Sequence, residues 1–178
     1  MRKTILRYGL FGFSLLLIML FVVFLVFRND YRWEVQEVIG YVTIVLSLLF
    51  VYFGIRHWRD NYNSGKLSFG QGLKLGTLIT LFPAIAFGLF TLLQINLLDP
   101  DFNDKYYAYY VQKVTASIPA DKLQETLQKL EIEKEMFANP LLQFALMFLT
   151  VFLIGIVITV LSSLFLQRRT SERNTIGA

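Results

Sequence analysis

Glu37 is the carboxylate closest to the start of a long apolar run, and an acid drawn into a helical bundle is where proton or cation handling is carried out. In the first turn of a helix the same acid simply complements the dipole in water, and its place beside Gln36 at the edge of the run favours that reading. Gln94 and Asn96, at the end of a later apolar run, either line a polar cavity or mark an interface, with the second favoured. Tyr106 and Tyr110, with Tyr107 and Tyr109 beside them, offer rings that stack on a sugar-like ligand; beside a membrane such rings also serve as interfacial belt or internal packing.

His57 is the only histidine, so a His-based metal site or triad would have to be built on it alone. Arg56 and Arg59 beside it repel a metal cation, and a headgroup-facing role fits better. The chain has no cysteine, which excludes disulfides, thiolate chemistry and Cys-ligated metals. Gly70, Gly72 and Gly76 do not make a phosphate cradle, because no strand precedes them and no Gly-Lys-Ser/Thr follows. Neither metal nor other cofactor is expected. Arg56, Arg59 and Lys66 form a basic group that attracts anionic lipid headgroups by placement alone.

The elements that would position these residues are long apolar helices. Of 178 residues, 55% are hydrophobic and 17% charged, with the charges clustered between apolar runs as in a membrane protein. Spans are predicted over residues 8–27, 35–55, 70–96 and 141–166. The first resembles a secretory signal, but it exceeds a usual h-region and lacks a small-x-small site, so a retained span is expected. Tyr31 and Trp33 in the first connection are aromatic types that settle at the headgroup level. The net charge of +4 does not indicate nucleic acid, because the basic residues flank apolar runs, where they act as topology signals.

Gly72, Gly76, Thr80, Ala84 and Gly88 recur every fourth residue and draw a line of small side chains along the third span, which lets another backbone come close in lipid. Gly155, Thr159 and Ser163 repeat the pattern in the fourth span, and Gly40, Thr43 and Ser47 offer a further small-residue face. Pro83 predicts a kink near residues 79–80, with Thr80 helping to satisfy the freed carbonyl. Ser68 and Gln71 form a capping-box pattern at the start of the third span, and Asp121 with Gln124 repeats it downstream.

Between spans three and four, residues 99–139 read as an extracytoplasmic helical hairpin. An aromatic helix over residues 102–117 is followed, after Pro119, by a charged helix carrying the stripe Leu123, Leu127, Leu130 and Phe137. The polar tail 170–178 is expected to fray. Four spans place both termini on one side. That side would carry Arg2, Lys3, Arg7, Arg56, Arg59, Lys66, Lys74, Arg168, Arg169 and Arg173 against Asp60 and Glu172. The other holds Arg28, Arg32, five lysines of the hairpin and the remaining acids, so the positive-inside bias makes both termini cytoplasmic.

The four-span plan, the run Gly65-Lys66-Leu67-Ser68-Phe69-Gly70-Gln71-Gly72 entering span three, and a charged helical insert after Asp99-Pro100-Asp101-Phe102 together resemble a Bacteroidetes family of small four-helix integral membrane proteins of unknown function. The resemblance covers nearly the whole chain. It implies a bacterial inner membrane and the same all-α, four-span plan, and supplies no catalytic or binding residues. The expected role is a non-enzymatic scaffold or interaction subunit, whose small-residue faces and outer hairpin touch lipid, partner proteins or other copies of the chain. A small transporter or channel subunit is the alternative; it requires Glu37, Gln94, Thr80 and Thr159 to share one wet cavity. A membrane-embedded enzyme would need clustered titratable groups at one depth, and the spans offer none.

Overall fold

The structure, a computed structural model, describes residues 1–27 and 32–168. Arg28, Asn29, Asp30 and Tyr31, together with Arg169, Glu172, Arg173 and the tail over residues 170–178, lie outside the described residues.

Six helices follow in order: α1 (Arg2–Phe27), α2 (Trp33–Tyr62), α3 (Phe69–Leu93), α4 (Phe102–Ser117), α5 (Ala120–Ala138) and α6 (Pro140–Leu166). Among the described residues four helices, α1, α2, α3 with its extension, and α6, are long and apolar enough to cross a membrane. No helix breaker lies between Ile55 and Asn63, so α2 runs seven residues beyond the predicted span end at 55. Arg56, His57, Trp58, Arg59 and Asp60 are therefore helical, not part of a loop. The chain turns instead at Ser64 and Gly65, whose φ values of 52° and 73° lie in the left-handed region.

Ser68 and Gln71 make both bonds of the capping box that opens α3. The second pattern does not cap: α5 starts two residues earlier, at Ala120 after Pro119, which leaves Asp121 inside its first turn. Asn139 opens α6 by accepting from the amides of Leu141 and Leu142 at 3.0 and 3.3 Å. Helix α3 stays continuous across Pro83, and its last turn widens into a π-turn over Gln94–Leu98. Thr80 does not turn back to serve the carbonyl freed by the proline. Its hydroxyl points across to Thr159, 3.5 Å away, near the limit of a hydrogen bond.

Helix α3 touches all three other spans, and α6 most extensively. The two predicted lines of small residues meet each other here. A Cβ on Gly76 would lie 2.5 Å from Thr159 Cγ2, one on Gly72 would lie 2.7 Å from Ser163 Oγ, and one on Gly155 would overlap Thr80. Each threonine thus fills the notch left by a glycine opposite, and Ala84, with Gly88 against Phe144, extends the buried line. Such interlocking favours association through dispersion in lipid, where no hydrophobic effect drives helices together. Because the seam is consumed inside the chain, it is not a face presented to another copy. Leu16, Leu48, Val51, Ile55, Leu75, Ile79 and Val151, none more than 1% exposed, fill the space between the helices on this level.

Helices α4 and α5 fold back along one another: Lys134 pairs with Asp104 at 2.9 Å and lies over the Tyr107 ring. Asp104 holds the Lys134 ammonium above its ordinary range. The Leu123, Leu127, Leu130 and Phe137 stripe is half-buried.

Candidate functional site

The four residues singled out as a polar or ligand group come together. Tyr106 and Tyr110, one turn apart on α4, both donate their hydroxyls to Glu37 Oε1 at 2.9 Å, and their rings are 4.6 Å apart. Glu37 is therefore not a solvated first-turn acid only; it anchors α4 to α2. A second bridge lies one turn closer to the helix start, where Lys113 donates to Glu34 at 2.5 Å and Tyr109 reaches the same oxygen at 3.5 Å. Trp33, expected at the headgroups, is 5% exposed instead, wedged edge-on against Phe102 and Tyr106. Burial, reinforced by hydrogen bonds with Tyr110 and Glu37, pushes the Tyr106 phenol far above the usual tyrosine range. Tyr110 is raised in the same sense, again mainly by burial.

These bridges roof a cavity of about 480 Å³ lined by residues from all six helices. Glu37, Gln94, Tyr106 and Tyr110 are on its wall, with Gly40, Phe90 and Thr150 deeper among the spans. Gln94 thus lines a cavity and is not merely an interface marker, while Asn96 turns outward and donates to the Leu92 carbonyl at 2.8 Å. Gly40, read as a packing residue, has no atom within 4 Å of where a Cβ would stand, so it faces the open space. Gln143 also borders the cavity. It is 2% exposed, and among the described residues its side-chain amide has no hydrogen-bond partner. The sequence carries a signal for it, a lone glutamine in the first turn of a largely apolar span, which is weak beside the carboxylates and tyrosines.

At the opposite end, the basic group divides. Arg56 and Lys66 are exposed, as a headgroup contact needs, whereas Arg59, expected to share that role, is buried and faces the end of α6 instead. Its guanidinium binds Asp60 at 2.6 Å and donates to the last carbonyl of α6, Leu166, at 3.4 Å. A cation there complements the negative end of the α6 dipole and caps a carbonyl left unpaired by the helix. The backbones of Leu67 and Arg168 exchange two hydrogen bonds beside it, at 3.0 and 3.3 Å, and tie the turn before α3 to the end of α6. His57 meets Asn61 at 3.1 Å and packs on Tyr8 and Tyr62. Among the described residues no three His, Cys, Asp or Glu side chains cluster in a way that would hold a metal ion.

Thr80 and Thr159, which the transport reading needs beside Glu37 and Gln94, are fully buried in the α3–α6 seam and do not line the cavity. A family described as "Protein of unknown function (DUF4199)" matches residues 7–168. No curated protein and no solved structure matches the chain.

Proposed function

This chain belongs to the DUF4199 family of proteins of unknown function, and we propose that it is a non-catalytic interaction subunit, or scaffold, of an assembly in the bacterial inner membrane. The observation that supports this reading is the close packing of the basic half of the bundle, where Thr80 and Thr159 are fully buried in the α3–α6 seam, each against a glycine opposite, and stand apart from the cavity. A transporter or channel subunit would need a polar path to continue from Glu37 and Gln94 past Thr80 and Thr159. The separation of the two pairs favours the scaffold.

The orientation follows from charge. Arg2, Lys3, Arg7, Arg56, Lys66, Lys74 and Arg168 surround one end of the bundle, and the acids of α4 and α5 lie at the other. In the proposed topology the basic end, with both termini, is cytoplasmic, and the α4–α5 hairpin stands outside. Ile132 and Met136, 52% and 40% exposed on α5, give the protruding pair an apolar surface for a partner.

Photo-crosslinking side chains placed at Ile132 and Met136 in native membranes test this reading, with lipid-facing Leu153 as control. A discrete adduct from the α5 positions only is expected. Equal yields from all three, or solute flux through proteoliposomes holding the purified chain, would reject the proposal. Reporter fusions after Arg168 test the orientation, with cytoplasmic activity expected.

A further inference from the structure

We propose that the cavity beneath α4 and α5 is a binding site for a neutral amphiphile, a membrane-derived lipid with an apolar chain and a compact, uncharged hydrogen-bonding head. Three features set this chemistry. The first is Gln143, which is almost wholly buried yet has no hydrogen-bond partner for its amide among the described residues. An amide with no protein partner leaves hydrogen-bonding capacity to be filled, and this one borders the cavity, where a bound group can pair with it. It presents both a donor and an acceptor, which suits a hydroxyl or ester head.

The second feature is shape and polarity. At about 480 Å³ the cavity falls within the range of small-molecule sites. Its lower wall is built from the apolar parts of α1, α2, α3 and α6, at the level where an acyl or isoprenoid chain would enter from the bilayer. Gly40 keeps one side of that wall open.

The third is charge. The described lining includes three carboxylates, Glu37, Asp99 and Glu133, against a single ammonium, Lys134, which is already paired with Asp104 at 2.9 Å. An anionic head would meet net negative charge. A cationic head finds Glu37 bonded by two tyrosine hydroxyls, Asp99 paired with Lys105 at 2.7 Å and Glu133 exposed to water on α5, so no buried, unpaired acid is left to hold it. A neutral head avoids both costs.

The test uses the full chain in phosphatidylcholine nanodiscs, with Trp58→Phe leaving Trp33, on the cavity wall, as the fluorescent reporter. Brominated monoacylglycerol is titrated beside the fatty acid and the alkylammonium of the same chain. Saturable quenching by the monoacylglycerol is expected, at least about tenfold tighter than by either charged analogue. Gln143→Leu should weaken it about tenfold, the loss of a buried hydrogen bond. Gly40→Leu, which fills the cavity from the opposite wall, should abolish the saturable phase. Quenching that rises linearly with every probe, or that survives Gly40→Leu, overturns the site. Tighter binding of either charged analogue overturns the neutral head. The comparison of probes on the chain with native Gly40 and Gln143 decides the matter even if a variant fails to fold. None of these readings depends on a protein partner, so the site and the scaffold role fail separately.

Discussion

Near the basic end, α3 and α6 meet backbone to backbone, with Thr159 in the notch of Gly76 and Thr80 in that of Gly155. Near the acidic end, beyond Ile44 and Phe87, the helices are held apart by rings and reconnected by long side chains: Tyr106 and Tyr110 to Glu37, Lys113 to Glu34. The first arrangement buries Thr80 and Thr159 completely, and the second borders a cavity. The difference teaches that small residues specify contact by removing atoms, whereas tyrosine and tryptophan specify distance by supplying them. A bundle built both ways can be rigid at one end and receptive at the other.

The comparison breaks most severely at Gly155. Its replacement by leucine drives a side chain into Thr80 and is expected to cost about 3 kcal/mol or more, through overpacking that the seam cannot relax. Thermal unfolding in nanodiscs, followed by circular dichroism, measures this; an unchanged midpoint would mean that the seam is loose. Next comes Arg59→Ala, which uncaps Leu166 at the solid end and is expected to cost about 1–2 kcal/mol by the same measurement.

At the hollow end, Glu37→Gln weakens two charge-assisted bonds while keeping the shape, a loss of roughly 1 kcal/mol. It should speed amide hydrogen exchange in α4 and leave exchange in the α3–α6 seam untouched. Alkali sharpens the same contrast. The docked Tyr106 holds its proton above the ordinary value of about 10, so its contribution is complete below that pH and is lost as pH rises through its raised value. Faster exchange in α4 is therefore expected from about pH 10 upward, and Tyr106→Phe should blunt that dependence. The smallest effect is at Gly40, where alanine meets open space. It should stabilise the protein by about 0.5–1 kcal/mol through helix propensity, the opposite sign to Gly76→Ala.

Much of this was legible in the residues themselves. Four apolar runs of spanning length, the Ser68–Gln71 box, and the four-residue spacing of Gly72, Gly76, Thr80 and Gly155, Thr159 are local patterns, and local patterns dictate helices and mark their narrow faces. The site was legible as a list and not as a place. Glu37 and Tyr106 are 69 positions apart, and no periodicity within either helix reports on the other. Arg59 reads as a headgroup contact by its neighbours in sequence, and only the arrival of Leu166 from the far end of the chain makes it a cap.

By itself, then, the sequence determined where helices form and which faces are thin, because hydrogen bonding, apolar length and side-chain volume act over a few residues. Tertiary structure alone decided that the two thin faces meet each other, that α2 carries its basic end as helix, and that an unpaired amide from α6 borders a space roofed by α4. Those outcomes depend on which helices become neighbours, and that is set by the packing of the whole bundle.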